Sequence, residues 1–226
     1  MNGLTLTFHL AGINNQNFLM RDEETGTFWQ QVSGLAVSGP LKGQSLRLIS
    51  SDELTFALWT QEQPGGQVLK DVPAYVEQYA GRDWDVKMRK QPVVVTFARK
   101  GIKDRDLMYG IQAFGEARAW PAEMVLREGL VRDRLGSEPV MLVVGPDGKS
   151  VRAFRARVPG TEGSAEFYRT QEGMIDSGTG SHWNFQGCAT EGSAKGACLE
   201  RLNMIADYWF AWRYHNPQTT LFSKPN

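Results

Sequence analysis

The chain carries one pattern twice, and a repeated pattern limits the available folds more than any other feature of this sequence. Met20, Asp22, Thr25, Gly26 and Trp29 recur with identical spacing as Met174, Asp176, Thr179, Gly180 and Trp183. One residue then drops out. After it, Gly34, Ala36, Gly39, Lys42, Gly43, Leu46, Trp59 and Pro64 recur as Gly187, Ala189, Gly192, Lys195, Gly196, Leu199, Trp212 and Pro217. Matched glycines, prolines and tryptophans over so long a stretch mark a duplicated unit, and a repeat has to be recognised before the fold is read.

The matched residues also say what the unit is. Asp22 opens a turn by bonding its own backbone, and Gly26 supplies the positive-φ position that closes it. Between two apolar runs this predicts a β-hairpin, repeated at Asp176 and Gly180. A second turn lies at 39–43 and its copy at 192–196. Each unit then switches to helix, over roughly 52–63 and 204–216. Ser50 and Glu53 have capping-box spacing, and Asn203 takes the N-cap place in the second copy. Pro64 and Pro217 stop the helices. Short strands at 68–70 and 220–222 follow.

The remaining sequence reads as a helix at 73–80, a linker at 81–91, a strand at 93–99 and a hairpin at 108–113 and 116–120. Pro121 then opens a helix over 122–128, proline being favoured in a first turn. Strands at 140–144 and 151–158 flank the turn at 145–148. The expected fold is a β-rich α+β body. Two related hairpin–hairpin–helix–strand units pack with approximate twofold symmetry. Residues 1–70 form a first, incomplete repeat, 71–107 a connection, and 108–226 a fuller repeat, together one compact body. The first repeat has no counterpart of 108–158, so it exposes a sheet edge. An exposed edge invites pairing, which predicts a homodimer or an edge covered by 71–107.

Charge narrows the partners. Lys plus Arg and Asp plus Glu number 25 each, with no basic stripe, so no nucleic-acid partner is expected. No apolar run is long enough to span a bilayer. Leu4, Leu6, Phe8 and Leu10 alternate with polar residues, which reads as a strand rather than a signal peptide. A chain that begins inside a strand reads as a mature, trimmed or shortened form.

Candidate chemistry is sparse. Asp22 and Asp176 offer two carboxylates for acid–base work across the pseudo-twofold, but each also has a turn to cap. Trp29 and Trp183 offer an aromatic platform for a flat ligand, or cover for a small sheet. His182, beside Trp183 and near Asp176, is the best single acid–base candidate. His9, His182 and His215 lack metal-ligand spacing, and no metal or cofactor is expected. Cys188 and Cys198 flank the turn at 192–196 and can be cross-strand neighbours within reach of a disulfide. Their counterparts Leu35 and Ser45 carry no thiol, so two packed free thiols are the expected state. Tyr208, Trp209, Phe210, Trp212 and Tyr214 crowd one helix, which predicts burial on more than one face. No nucleophile elbow, phosphate loop or dinucleotide fingerprint is present.

The strings Leu6-Thr7-Phe8, Ala11-Gly12 and Leu19-Met20-x-Asp22-x-x-Thr25-Gly26-Thr27-x-Trp29 resemble the domain of unknown function 3179. So do Gly34-x-Ala36-x-x-Gly39-Pro40-Leu41-Lys42-Gly43-x-x-Leu46 and Gly115-Glu116-Ala117-Arg118-Ala119-Trp120-Pro121. The resemblance covers most of the chain except roughly 71–107, and it implies no established activity. It also implies a C-P-L-C cysteine pair on the strand before the first copy. That region is absent here, and the matching stretch of the second copy is Gly145-Pro146-Asp147-Gly148. Thiol–disulfide or metal chemistry at that place is therefore not expected. The leading expectation is a non-catalytic small-ligand-binding or scaffold protein with a groove between the repeats, its ligand touching Trp29, Trp183 and His182. The alternative is a hydrolase-like acid–base enzyme using His182 with Asp176 or Asp22.

Overall fold

The N-terminal alternation forms the first strand of a four-stranded meander. The strands are β1 (Phe8–Asn14), β2 (Asn17–Asp22), β3 (Phe28–Gln30) and β4 (Ala36–Ser38), antiparallel and in chain order. The computed structural model describes residues 3–14, 17–161, 163 and 165–223. A helix α1 (Phe56–Glu62), a 3-10 turn Pro73–Gln78 and a short helix α2 (Trp84–Arg89) follow. Then come β5 (Leu107–Ala113), β6 (Glu116–Pro121), α3 (Ala122–Glu128), β7 (Leu130–Leu135), β8 (Glu138–Val144) and β9 (Val151–Arg155). A second meander comprises β10 (Phe167–Arg169), β11 (Met174–Asp176), β12 (His182–Trp183) and β13 (Ala189–Glu191). The chain closes with β14 (Arg201–Leu202), β15 (Met204–Tyr208), α4 (Trp209–His215) and β16 (Thr220–Leu221). Among the described residues these make four sheets of four strands. Two are the meanders, and two are mixed in chain order, β14-β9-β8-β7 and β15-β5-β6-β16.

Strand β8 explains the core. Its sequence is an unbroken apolar run, which suits a strand buried on both faces. Val140, Leu142 and Val144 point one way, onto α3 and onto Tyr109, Ile111 and Trp120 of the β5–β6 hairpin. Met141 and Val143 point the other way, onto Phe154, Phe167, Met174, Trp183 and Leu199 under the second meander. A third cluster sets Met108 and Ala119 against Trp209 and Trp212 of α4. There Gly110 is required, because a Cβ on it would lie 2.3 Å from the Trp212 ring. The three clusters draw no residue from before Phe97.

Both hairpin turns take the expected form. Gly26 and Gly180 have φ of 71° and 66°. The helices are shorter than expected. Helix α1 starts only after Thr55, whose side chain accepts from the Leu58 N–H, so Ser50 and Glu53 make no capping box. Asn203 caps nothing, because residues 204–208 form β15 and pair residue by residue with β5. Cross-strand pairing outweighs the helical pattern there. Trp59 and Trp212 are each the fourth residue of a seven-residue helix. Trp212 faces its own sheet, whereas α1 lies instead against the β8–β9 turn, through Thr55 and Asp147.

Residues 68–70 and 93–99 are not strands, and the linker at 81–91 holds α2. The carbonyl of Phe97 is taken by the Trp209 indole N–H at 2.8 Å. Strand β7 was not expected, its alternation being masked by Arg132, Asp133 and Arg134. Residues 63–87 are exposed throughout, so the first part of the 71–107 connection covers no sheet edge.

Candidate functional site

The N-terminal and C-terminal parts meet along a seam built by residues 51–62. Two interactions fix it. At one, Thr55 caps α1 with its Oγ1 and donates that hydroxyl to Asp147 at 2.6 Å. Ser150 Oγ donates to the same carboxylate oxygen at 2.6 Å and accepts the Thr55 N–H at 3.0 Å. At the other, the guanidinium of Arg152 donates to Asp52 at 2.8 and 3.1 Å and to both oxygens of Glu62 at 2.6 Å. It lies over the Phe185 ring, 4.5 Å from the centroid. The Arg152 side chain is 3 % exposed. Burial opposes its charge and is the largest influence, but Glu62 and Asp52 outweigh it and the pKa is raised. Arg201 adds a bond to Asp52 at 2.5 Å.

A cavity lies on each side of this ion cluster. The smaller, about 220 Å³, is walled by Ser51, Asp52 and Glu53 on one side and by Tyr109, Lys149, Val151 and Met204 among others on the other. The larger, about 420 Å³, lies between Leu58 and Glu62 of α1 and the segments 169–174 and 184–186. Both are thus formed jointly by the two parts of the chain. A third cavity of about 160 Å³ borders His215. The ring nitrogens of His215 lie 2.8 Å and 3.0 Å from the side-chain amides of Asn17 and Gln30. Burial holds the pKa of His215 below its ordinary value, so a neutral imidazole ties α4 to the first meander.

The residues singled out from sequence lie elsewhere, His182 and Trp183 on a separate cavity of about 260 Å³ shared with Glu172 and Glu191. Asp22 and Asp176 are buried in separate meanders with the same partners. Asp22 accepts from the Thr25 N–H (2.5 Å), the Thr25 hydroxyl (2.8 Å) and the Trp29 indole (2.7 Å). Asp176 accepts from the Thr179 N–H (2.5 Å), the Thr179 hydroxyl (2.7 Å) and the Trp183 indole (2.9 Å). Burial pushes each carboxyl up, and these bonds outweigh it, so both pKa values are lowered. They are saturated turn anchors, and they do not converge.

Trp29 and Trp183 are 0 % and 1 % exposed, and their N–H groups are spent on the aspartates, so neither presents a platform. His182 is exposed on the face of β12 opposite Trp183, with no ion-pair partner among the described residues. His9 stands apart on β1, 3.9 Å from Glu23. Cys188 and Cys198 form a disulfide across an isolated antiparallel bridge, which overturns the free thiols expected from the first copy. Leu35 and Ser45 make the same bridge without sulfur, so the disulfide reinforces a hairpin neck that the backbone already forms.

The family model described as protein of unknown function DUF3179 matches residues 1–219. The chain belongs to that family. The match runs through 71–107 as well, the stretch where the motif resemblance lapses. No curated protein and no solved structure matches the chain. At the turn where the family resemblance places a cysteine, this member has Gly145-Pro146-Asp147-Gly148, and Asp147 there anchors α1 instead. None of the seam residues Asp52, Glu62, Asp147 and Arg152 belongs to the repeated pattern, so the repeat gave no signal for them. Among the described residues no helix is long and apolar enough to cross a membrane.

Two carboxyls near the seam set opposite pH dependences. Burial pushes Asp147 up, but the bonds from Ser150, Thr55 and Lys149 outweigh it and lower its pKa to about 2. Its contribution is full above the ordinary value of 3.8 and is lost as pH falls toward about 2. Asp207 runs the other way. Burial, the largest influence, and the nearby Glu53 outweigh the Tyr208 N–H bond and raise it to about 6. The folded state therefore holds the proton between 3.8 and about 6, and stability declines as pH rises through that window. Replacing Asp207 with Asn is expected to remove that decline and to stabilise the protein at pH 7 by on the order of 2 kcal/mol. Thermal unfolding followed from pH 4 to 8 checks this, and an unchanged slope in the variant rejects it.

Proposed function

We propose that this is a non-catalytic small-ligand-binding protein whose ligand sits in the seam between residues 51–62 and the C-terminal sheets. The observation that supports this most is that both cavities flanking the Arg152 ion cluster are built jointly by the two parts of the chain. Clefts between such parts are favoured ligand sites. The larger cavity combines apolar Leu58, Val143 and Met174 with the charged Glu62, Arg169 and Glu172 and with amide groups such as that of Asn184. The sequence pointed to Trp29, Trp183 and His182 as ligand contacts; none of them lines the two seam cavities, and the seam is the site we favour. The pairing that the acid–base alternative needs, His182 with Asp176 or Asp22, does not form, since His182 is exposed and both aspartates are buried on their own turns.

A thermal-shift screen with a mixed panel of sugars, amino acids, peptides and small acids tests this reading. A ligand of the native state raises the melting temperature by mass action. Trp placed at the exposed mouths, Ser51→Trp for the smaller cavity and Gln186→Trp for the larger, is expected to abolish the shift in one variant. A panel without hits, or hits indifferent to both variants, rejects the seam.

The reading includes an internal duplication, supported by the matched turns at Asp22 and Asp176 and by matched edge-to-face pairs. Phe8 and Trp29 have centroids 5.9 Å apart, and Phe167 and Trp183 have them 5.7 Å apart. We place the two meanders as copies of one unit related by an approximate twofold. In the second, Phe167, Met174 and Leu199 are covered by β8 and β9. The matching Phe8, Met20 and Leu46 are only half-buried, and Leu10, Ile13 and Phe18 beside them are 60 %, 68 % and 47 % exposed. An apolar sheet face left open in this way favours self-association, so the protein is expected to form a homodimer through the first meander. Light scattering should give twice the chain mass, with Ile13→Glu returning it to monomer. A wild-type monomer at high concentration contradicts the dimer.

A further inference from the structure

The smaller seam cavity carries polar groups that the fold leaves unused. Glu53 and Lys149 both line it. Among the described residues, neither the Glu53 carboxylate nor the Lys149 ammonium has a hydrogen-bond or ion-pair partner, and they do not pair with each other. Tyr109, also in the lining, is 7 % exposed, and its hydroxyl has no hydrogen-bond partner among the described residues. Burial, with the charges of Glu53 and Asp147, raises its pKa, so the phenol keeps its proton as a donor. Buried polar groups are nearly always paired, so an unpaired hydroxyl on a cavity wall marks where a polar ligand atom belongs. The rest of the lining is Ser51 and the mutually paired Asp52, Arg152 and Arg201, with an apolar stretch from Leu107, Val151, Leu202 and Met204.

We infer that this cavity binds a free α-amino acid with an apolar side chain. The inference rests on the seam reading and names its ligand class. One unpaired charge of each sign fits a zwitterion. The ammonium of the ligand faces Glu53, its carboxylate faces Lys149 and the Tyr109 hydroxyl, and its side chain lies on the apolar wall. A neutral sugar leaves both protein charges unpaired, and a diacid or diamine satisfies only one.

Calorimetric titration of the full chain with L-leucine, N-acetyl-L-leucine, L-leucinamide and D-glucose tests this. Leucine is expected to bind, and capping either end should weaken binding about tenfold, the loss of one charge-assisted contact. Glu53 and Lys149 are exposed, so Glu53→Gln and Lys149→Met should keep the fold, checked by a cooperative melting transition. Glu53→Gln should weaken leucine about tenfold and leave N-acetyl-leucine unchanged, because the contact is already lost. Lys149→Met should do the same for leucine and leucinamide. Capped and free leucine binding equally, or neither variant changing the affinity, overturns the inference. Glucose binding that Ser51→Trp blocks overturns the ligand class and leaves the seam standing. No binding by any of the four compounds overturns the class, and no binding by the wider panel overturns the seam with it.

Discussion

Replacing Arg152 with alanine is expected to destabilise the protein by about 3–5 kcal/mol, because it removes one partner of a buried ion cluster and strands the others. Asp52 and Glu62 are 23 % and 13 % exposed, and both turn their oxygens on the one guanidinium. Without it, the partly desolvated Glu62 loses its counter-charge and Asp52 keeps only Arg201. That loss is a large share of the total stability typical of a folded domain. The triple variant Arg152→Met, Asp52→Asn, Glu62→Gln should recover most of it, since apolar or neutral replacement of a whole buried cluster costs little. Urea unfolding measures both. A loss below about 1 kcal/mol for R152A would mean that the cluster is solvated, as exposed ion pairs are, and that the seam is not held there.

Reduction of Cys188–Cys198 is the second large expected effect. The bridge spans a sequence separation of 10. Closing a loop of that size restricts the unfolded chain enough to contribute roughly 2–3 kcal/mol. The variant Cys188→Ser, Cys198→Ser should lose that amount and become indifferent to reductant. It should still fold, because Leu35 and Ser45 hold the equivalent neck without a disulfide. Thiol titration of the denatured wild type should find none before reduction and two after. Two titratable thiols before reduction would contradict the bridge.

What could be read from sequence was local. Asp22, Thr25, Gly26 and Trp29 fall within one turn and its flanking strands, and the chemistry of Asp and Gly in turns allowed only a narrow choice of backbone. The same holds for the β5–β6 hairpin and α3. Errors began where distant segments decide. Met204–Tyr208 is apolar and aromatic enough for helix or strand, and only its ladder with β5, nearly a hundred residues earlier, makes it a strand. The cysteines were read through the repeat, yet the first copy carries no thiols and holds no information on their state.

The candidate site lay beyond sequence altogether. Asp52 and Glu62 meet Arg152 across sequence separations of 100 and 90. No periodicity or spacing announces contacts of that range. The tryptophans that drew attention through their repetition are buried with their indole N–H groups on the turn aspartates, so their repetition reflects the folding of the turns.

The central claim is that ligands bind in the seam, and backbone amide chemical-shift mapping against a mixed library of small polar metabolites tests it most directly. Binding is expected to move the amide signals of residues 51–58 together with those of 151–153 or 169–174. Those segments are remote in sequence and adjacent only across the seam. Shifts confined to the meander surfaces around His9 and His182, or no shifts at all, would contradict the account.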